Sequence, residues 1–151
     1  MRAEHVIATH ANTDFDAFGA MLAARALYPD AVVAVGALNR NVRDFYRLHA
    51  DELGAISEVS RLELDAIRRL VVVDVSSASR LGDLEAVALD DSVEKVVFDH
   101  HVGHAPPAWV PEGAAVSSAD GALTTTLVGI LAERGLEPTP LEATAYALGI
   151  H

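Results

Sequence analysis

Three separated segments of this chain carry residues suited to holding a divalent metal ion. They are His10, Asp14 and Asp16, spaced as His-x-x-x-Asp-x-Asp; Asp74; and the triplet Asp99-His100-His101. Carboxylate oxygens and imidazole nitrogens favour hard or borderline ions, so manganese or magnesium suits them better than structural zinc, and the imidazoles tilt the choice to manganese. The chain has no cysteine, which removes thiolate ligands, thiol nucleophiles and disulfides together. Carboxylates gathered at one place repel one another unless cations separate them, which points to two ions rather than one. Such a site suits attack of water on phosphorus, because it generates a nucleophile near neutral pH and neutralises the phosphoryl oxygens. Each residue taken singly also has a structural explanation: Asp14 as an N-cap, Asp16 complementing a helix dipole, Asp74 capping a turn, a histidine as a satisfied polar group at a strand end.

Which explanation holds depends on the elements that position these residues. His5-Val6-Ile7-Ala8-Thr9-His10 is a short β-branched apolar run followed by a polar turn, and predicts a buried strand. Phe15, Phe18, Leu22 and Ala26 then share one face of a helix that should stop near Pro29. Ala31 to Val35, Leu70 to Val75 and Val93 to Phe98 predict further strands, with a crossover over Leu81 to Leu89. Asn41 to His49 suits a helix with Val42, Phe45 and Leu48 inward; an edge strand near Ile56 and a helical turn around Leu64 and Ile67 should follow. A strand near Ala114 to Val116 leads to a helix from Gly121 to about Arg134. A last helix opens on Thr139-Pro140-Leu141-Glu142, where Thr139 suits the N-cap and Glu142 the reciprocal contact. Strand and helix in alternation predict an α/β fold, doubly wound, with a mostly parallel sheet and helices on both faces. Residues 1–151 read as one domain. Ligands of such sheets bind outside the carboxyl ends of the strands. His10, Asp14, Asp16, Asp74, Asp99, His100 and His101 all fall at those ends, so three distant segments deliver them to one edge.

The net charge of −11 excludes a broad basic surface for nucleic acid, so a phosphate partner must be met locally. The N-terminal residues lack a signal-peptide core, and the longest apolar stretch, Gly121 to Ala132, is too short to cross a bilayer, so a cytoplasmic address without membrane attachment is expected. Arg40, Arg43 and Arg47 recur at helical spacing; they suit a phosphate oxygen or, more plainly, ion pairs with Asp44 and Asp51. The helix start at Gly121 offers backbone N–H groups to an anion, or its glycine serves close packing. His104 lies beside the triplet, His5 and His49 read as surface or packing residues, and Trp109 has no evident partner.

Thr9-His10-Ala11-Asn12-Thr13-Asp14-Phe15-Asp16, Val72-Val73-Asp74, the triplet Asp99-His100-His101 and Gly121-Ala122-Leu123-Thr124-Thr125-Thr126 resemble, in order and spacing, the motifs of the DHH phosphoesterases. The resemblance covers nearly the whole chain. It implies that His10 and Asp14 hold one metal, Asp16 and His100 the other, and that Asp74 bridges them, while His101 faces the phosphate and Asp99 orients a histidine. It implies manganese, magnesium being the second choice, and a small nucleotide, a short oligonucleotide or a pyrophosphate-like substrate. The wording over Asp14 to Asp30 and Thr139 to His151 is most similar to DHH domains that precede CBS domains and a tRNA nucleotidyltransferase or poly(A) polymerase-like domain. The family's fourth motif follows Gly-Ile with an acid, where this chain has Gly149-Ile150-His151, so the domain reads as cut just before that ligand. A second, substrate-gripping domain is expected in a longer protein, and a homodimer is compatible with the reading. Two functions are therefore expected. One is a phosphoesterase acting on phosphodiester or phosphoanhydride bonds by a two-metal, water-activating mechanism. The alternative is a non-catalytic metal- and nucleotide-binding module that regulates an attached polymerase.

Overall fold

A computed structural model describes residues 1–100 and 106–151. Along the chain they form β1 (His5–Ala8), β2 (Asn12–Thr13), α1 (Phe15–Leu27), β3 (Val32–Val35), β4 (Ala37–Leu38), α2 (Arg40–Leu53), β5 (Ser57–Glu58), β6 (Arg69–Val73), α3 (Glu85–Leu89), β7 (Glu94–Asp99), β8 (Ala115–Ser117), α4 (Leu123–Glu133) and α5 (Pro140–Ile150). Short 3-10 segments cover Val59–Arg61, Leu64–Ala66 and Ala78–Leu84.

Six of the strands make one sheet in the order β5-β3-β1-β6-β7-β8, and every pairing in it is parallel. Alternation along the strands explains why it needs cover on both sides. Ile7, Val33, Val35, Val71 and Val73 point into one core, filled by α1, α2, α4 and α5. Val6, Ala8, Ala34, Leu70 and Val72 point into the other, closed by Val59, Leu62, Leu81, Leu84 and Val87. The strand order turns back between β1 and β6. The first half of the chain extends the sheet from β1 towards β5 and the second half extends it from β6 towards β8. At such a reversal the connections leave in opposite directions, and a crevice opens beyond the carboxyl ends.

The predicted elements are present with ends shifted by a few residues. The final helix carries the full capping box: Glu142 N–H donates to Thr139 Oγ1 at 3.2 Å, and Thr139 N–H donates to Glu142 Oε2 at 2.9 Å. One expectation fails in α2, where Leu48 is 80% exposed while Val42 and Leu53 are buried. At 100° per residue Leu48 lies about 120° round the helix from Val42, whereas Phe45, Tyr46 and Leu53 stay close to Val42's direction and pack against the core. The two-residue parallel pair β2–β4 was not anticipated; it ties the turn before α1 to the turn after β3. Trp109 has a partner after all, its Nε1–H donating to the Ser76 carbonyl at 3.2 Å. No helix among the described residues is long and apolar enough to cross a membrane.

Candidate metal centre

The β1 chain end is held firmly before it turns. Thr9 Oγ1 donates to the Val73 carbonyl at 2.7 Å, which joins the carboxyl ends of β1 and β6 and leaves His10 buried at the reversal point. Four residues on, Asp14 caps α1, with its carboxylate accepting the Ala17 N–H at 2.9 Å. The capping and ligand readings of Asp14 are compatible, because one carboxylate oxygen caps and the residue still lines the cleft with His10, Asp16, Asp74 and His100. That cleft holds about 440 Å³.

Asp74 follows β6 with φ of 60°, the only positive φ outside glycine among the described residues. Aspartate tolerates the left-handed region better than most residues, and such conformations gather at functional positions. Its N–H still donates to the Phe98 carbonyl at 2.9 Å, which holds the turn on the end of β7. The carboxylate stands between two imidazoles. Oδ1 lies 2.9 Å from His100 Nε2 and Oδ2 lies 3.7 Å from His10 Nε2.

Asp16 is one residue inside α1, and both its oxygens reach the start of α4. Oδ2 accepts the Leu123 N–H at 3.1 Å, and Oδ1 accepts the Thr124 N–H and hydroxyl, both at 2.9 Å. The helix start after Gly121 therefore does present its N–H groups to an anion, and that anion is Asp16. Close packing does not explain Gly121, which has open space where a Cβ would stand. Asp16 Oδ2 is also 3.5 Å from His100 Nε2. The other ring nitrogen, His100 Nδ1, is 3.2 Å from the Asp120 carbonyl. Hydroxyls of Thr126 and Ser118 clamp the Asp120 carboxylate and hold its pKa below the usual carboxylate range. Burial opposes the charged form of His100, but the Asp74 and Asp16 carboxylates and the Asp120 carbonyl outweigh it, so its pKa is raised.

The predicted ligands thus come together as two groups with one shared member. Donor atoms of His10, Asp14 and Asp74 lie within 4.8 Å of one another, and so do those of Asp16, Asp74 and His100. This set fits divalent cations: three carboxylates converge on two imidazoles, with oxygen and nitrogen donors and no sulfur. Asp99 lies at the end of β7, where its carboxylate accepts the His100 backbone N–H at 3.0 Å. His101 and His104 lie outside the described residues. Sequence reasoning missed two residues lining the cleft, Asn12 and Arg80. Asn12 was within view in the first motif, whereas Arg80 arrives through the 3-10 segment after β6, whose carbonyl at Arg80 accepts the Ala11 N–H at 3.1 Å.

Comparison with known proteins gives the chain's family and the likeness of its fold. Over 147 residues, 97% of its length, the chain is 37% identical to an A-adding tRNA nucleotidyltransferase of Geobacter sulfurreducens, of which it spans 16%. Its fold superposes on an exopolyphosphatase-related protein from Bacteroides fragilis with a TM-score of 0.69 and 18% identity, covering 99% of this chain and 46% of that one. The profile of the DHH family, N-terminal domain, matches residues 4–150, and the chain belongs to that family.

Proposed function

We propose that this chain is a manganese-dependent phosphoesterase that hydrolyses phosphodiester or phosphoanhydride bonds of a nucleotide-type substrate. The observation that carries the reading is the shared Asp74 carboxylate, placed between two ligand groups at the reversal point of the sheet. His10 and Asp14 would hold one ion, Asp16 and His100 the other, and Asp74 both, with magnesium as the alternative metal. A bound pair of such ions supplies an activated water and neutralises phosphoryl oxygens. The chain's own residues set the rest. Asp14 is fixed by α1, Asp16 by the start of α4, Asp74 by its backbone turn, and His100 by the Asp120 carbonyl, so the donors need little rearrangement to act together. Arg80 brings a guanidinium to the acidic cleft, where it would hold a substrate phosphate oxygen. His101, next in the triplet, would face the phosphate and stabilise its charge or protonate the leaving oxygen.

The test is turnover of dinucleotides, cyclic dinucleotides and pyrophosphate, with manganese, with magnesium and after chelation, in the wild type and Asp74→Asn. Asparagine tolerates the left-handed backbone as aspartate does, so the variant removes the charge and spares the turn. Manganese-dependent hydrolysis that Asp74→Asn abolishes is expected; hydrolysis that survives chelation refutes the reading.

A second reading has its own support in the resemblance to an A-adding tRNA nucleotidyltransferase, of which a chain like this one is a small part. Here the domain binds metal and nucleotide and regulates an attached polymerase without turnover. Tight manganese-dependent nucleotide binding with no hydrolysis of any of these substrates would favour it.

A further inference from the structure

The metal cleft does not end at Arg80. A neighbouring cleft is lined by Ala11, Leu81 and Gly82, next in sequence to Asn12 and Arg80, and it shares Gly36 and Ala37 with a third cleft of about 270 Å³. The three follow one another along the carboxyl edge of the sheet, from β6 across β1 and β3 to β5. Arg43, Tyr46 and Arg47 line the far one.

Those arginines are not consumed by the ion pairs that their helical spacing allowed. Arg40 takes Asp44 at 4.0 Å, and among the described residues neither Arg43 nor Arg47 has an ion pair. Glu58, the acid lining the same cleft, is paired with Arg61 at 3.4 Å. In a chain of net charge −11, two guanidiniums about one helical turn apart are left beside a concave surface whose one lining acid is already paired with another arginine. The wall next to them is rigid. Tyr46 donates its hydroxyl to the Gly54 carbonyl at 3.0 Å and accepts the Ile56 N–H at 3.1 Å. The middle cleft has the opposite character, with no cation in its lining and one acid, Asp83.

We infer that Arg43 and Arg47 form a second anion site, which takes a phosphate group of the substrate remote from the bond that is cleaved. This rests on the phosphoesterase reading for the near end of the groove. From β1 to β5 the sheet spans two strand spacings, about 10 Å. A compact anion at the metal centre cannot cover that distance, but a chain carrying phosphates at intervals can, with an uncharged unit crossing the middle cleft. The substrate class is therefore a short nucleotide chain rather than pyrophosphate.

The test measures binding of a labelled 5′-phosphorylated trinucleotide, with AMP and a five-unit inorganic polyphosphate as competitors, in EDTA and with manganese. Arg43→Gln with Arg47→Gln should weaken the trinucleotide about tenfold, the loss of one or two charge-assisted contacts, and flatten its salt dependence. AMP affinity, manganese affinity by calorimetry and the behaviour of Arg40→Gln, on the same helix but paired with Asp44, should not change. Loss for the trinucleotide alone assigns a nucleotide chain; equal loss for polyphosphate assigns the phosphate whatever carries it. Unchanged trinucleotide binding in the double variant overturns the site, as does an equal loss for AMP. Arginine-dependent binding in EDTA by a wild type that neither binds manganese nor hydrolyses substrate would strike the proposed function and leave this site standing.

Discussion

The two groups of candidate metal ligands that meet at Asp74 are held by different means. In the first, His10 and Asp14 sit four residues apart, between the end of β1 and the cap of α1, and Asp14 spends one oxygen on a local N–H. In the second, Asp16 gives both oxygens to α4, more than a hundred residues away. His100 is placed by Asp120 and by the two carboxylates it faces. One group is assembled by neighbouring sequence and the other by tertiary packing. Asp14 shares one oxygen with a helix N–H whereas Asp16 shares both, so the second group should bind an ion more weakly, and binding there should be linked to the docking of α4 on α1.

The shared residue gives the harshest test of this contrast. Asp74→Asn should lower manganese affinity at both groups, by at least about 100-fold where the bridging charge is lost, and remove most of the manganese-induced rise in Tm. Calorimetry that finds one group at wild-type affinity in this variant would show that Asp74 belongs to the other group alone.

The comparison sharpens when Asp14 and Asp16 are changed in the same way. Asparagine caps helices about as well as aspartate, so Asp14→Asn should leave metal-free stability within about 0.5 kcal/mol of wild type and cost only ion affinity. Asp16→Asn leaves one oxygen where three donors need a charged acceptor, and should cost about 2–3 kcal/mol even under chelation. Urea unfolding of both variants in EDTA measures the difference. Equal losses would mean that the two carboxylates are structurally alike and the contrast is wrong.

How legible the molecule was in its sequence follows the same division. The strands could be read because each is a continuous apolar run, and the last helix because Thr139, Pro140 and Glu142 announce its cap. His10, Asp14, Asp74 and His100 could be placed because they end strands or open the first helix, and the sheet's carboxyl edge then collects them. What could not be read depends on residues that meet only in the folded chain. Nothing in the spacing of Asp16 says that both its oxygens go to Leu123 and Thr124. Leu48 was misplaced by following a three-residue spacing where the helical period required Tyr46 and Leu53. Arg80 escaped notice because an arginine in a polar turn has no pattern of its own.

The junction of α1, α4 and α5 offers a smaller perturbation of the second group alone. Thr124 is fully buried, and its Oγ1 lies 2.9 Å from the place a Cβ would occupy on Gly19 and 2.7 Å from the place a Cβ would occupy on Gly149. Phe15's carbonyl oxygen lies 2.8 Å from the Gly149 position as well. Gly149→Ala would raise helix propensity in an open site, yet here it must push α5 away from α1, at a cost of about 1–3 kcal/mol. It should loosen the Asp16–Thr124 contacts, weakening the second ion while sparing the first. Thermal unfolding in EDTA reads the packing cost and manganese titration reads the coupling. A stabilised variant would mean that the helices already have room.

The smallest expected effect separates the hydroxyl of Thr124 from its bulk. The hydroxyl donates to Asp16 Oδ1 and contacts the Asp16 backbone carbonyl, each at 2.9 Å, while the methyl group lies 3.2 Å from the Gly19 position and only fills space. Thr124→Ser keeps the donor and removes one methyl, so it should cost about 1 kcal/mol or less and leave the second ion's affinity unchanged. Thr124→Val keeps the shape and removes the donor, leaving Asp16 with fewer partners in a partly buried place, and should cost about 1–3 kcal/mol. The two variants therefore ask which property of Thr124 holds the carboxylate. If serine weakens the second ion as much as valine does, packing rather than hydrogen bonding positions Asp16, and linkage between the ion and α4 must run through the shape of the helix junction.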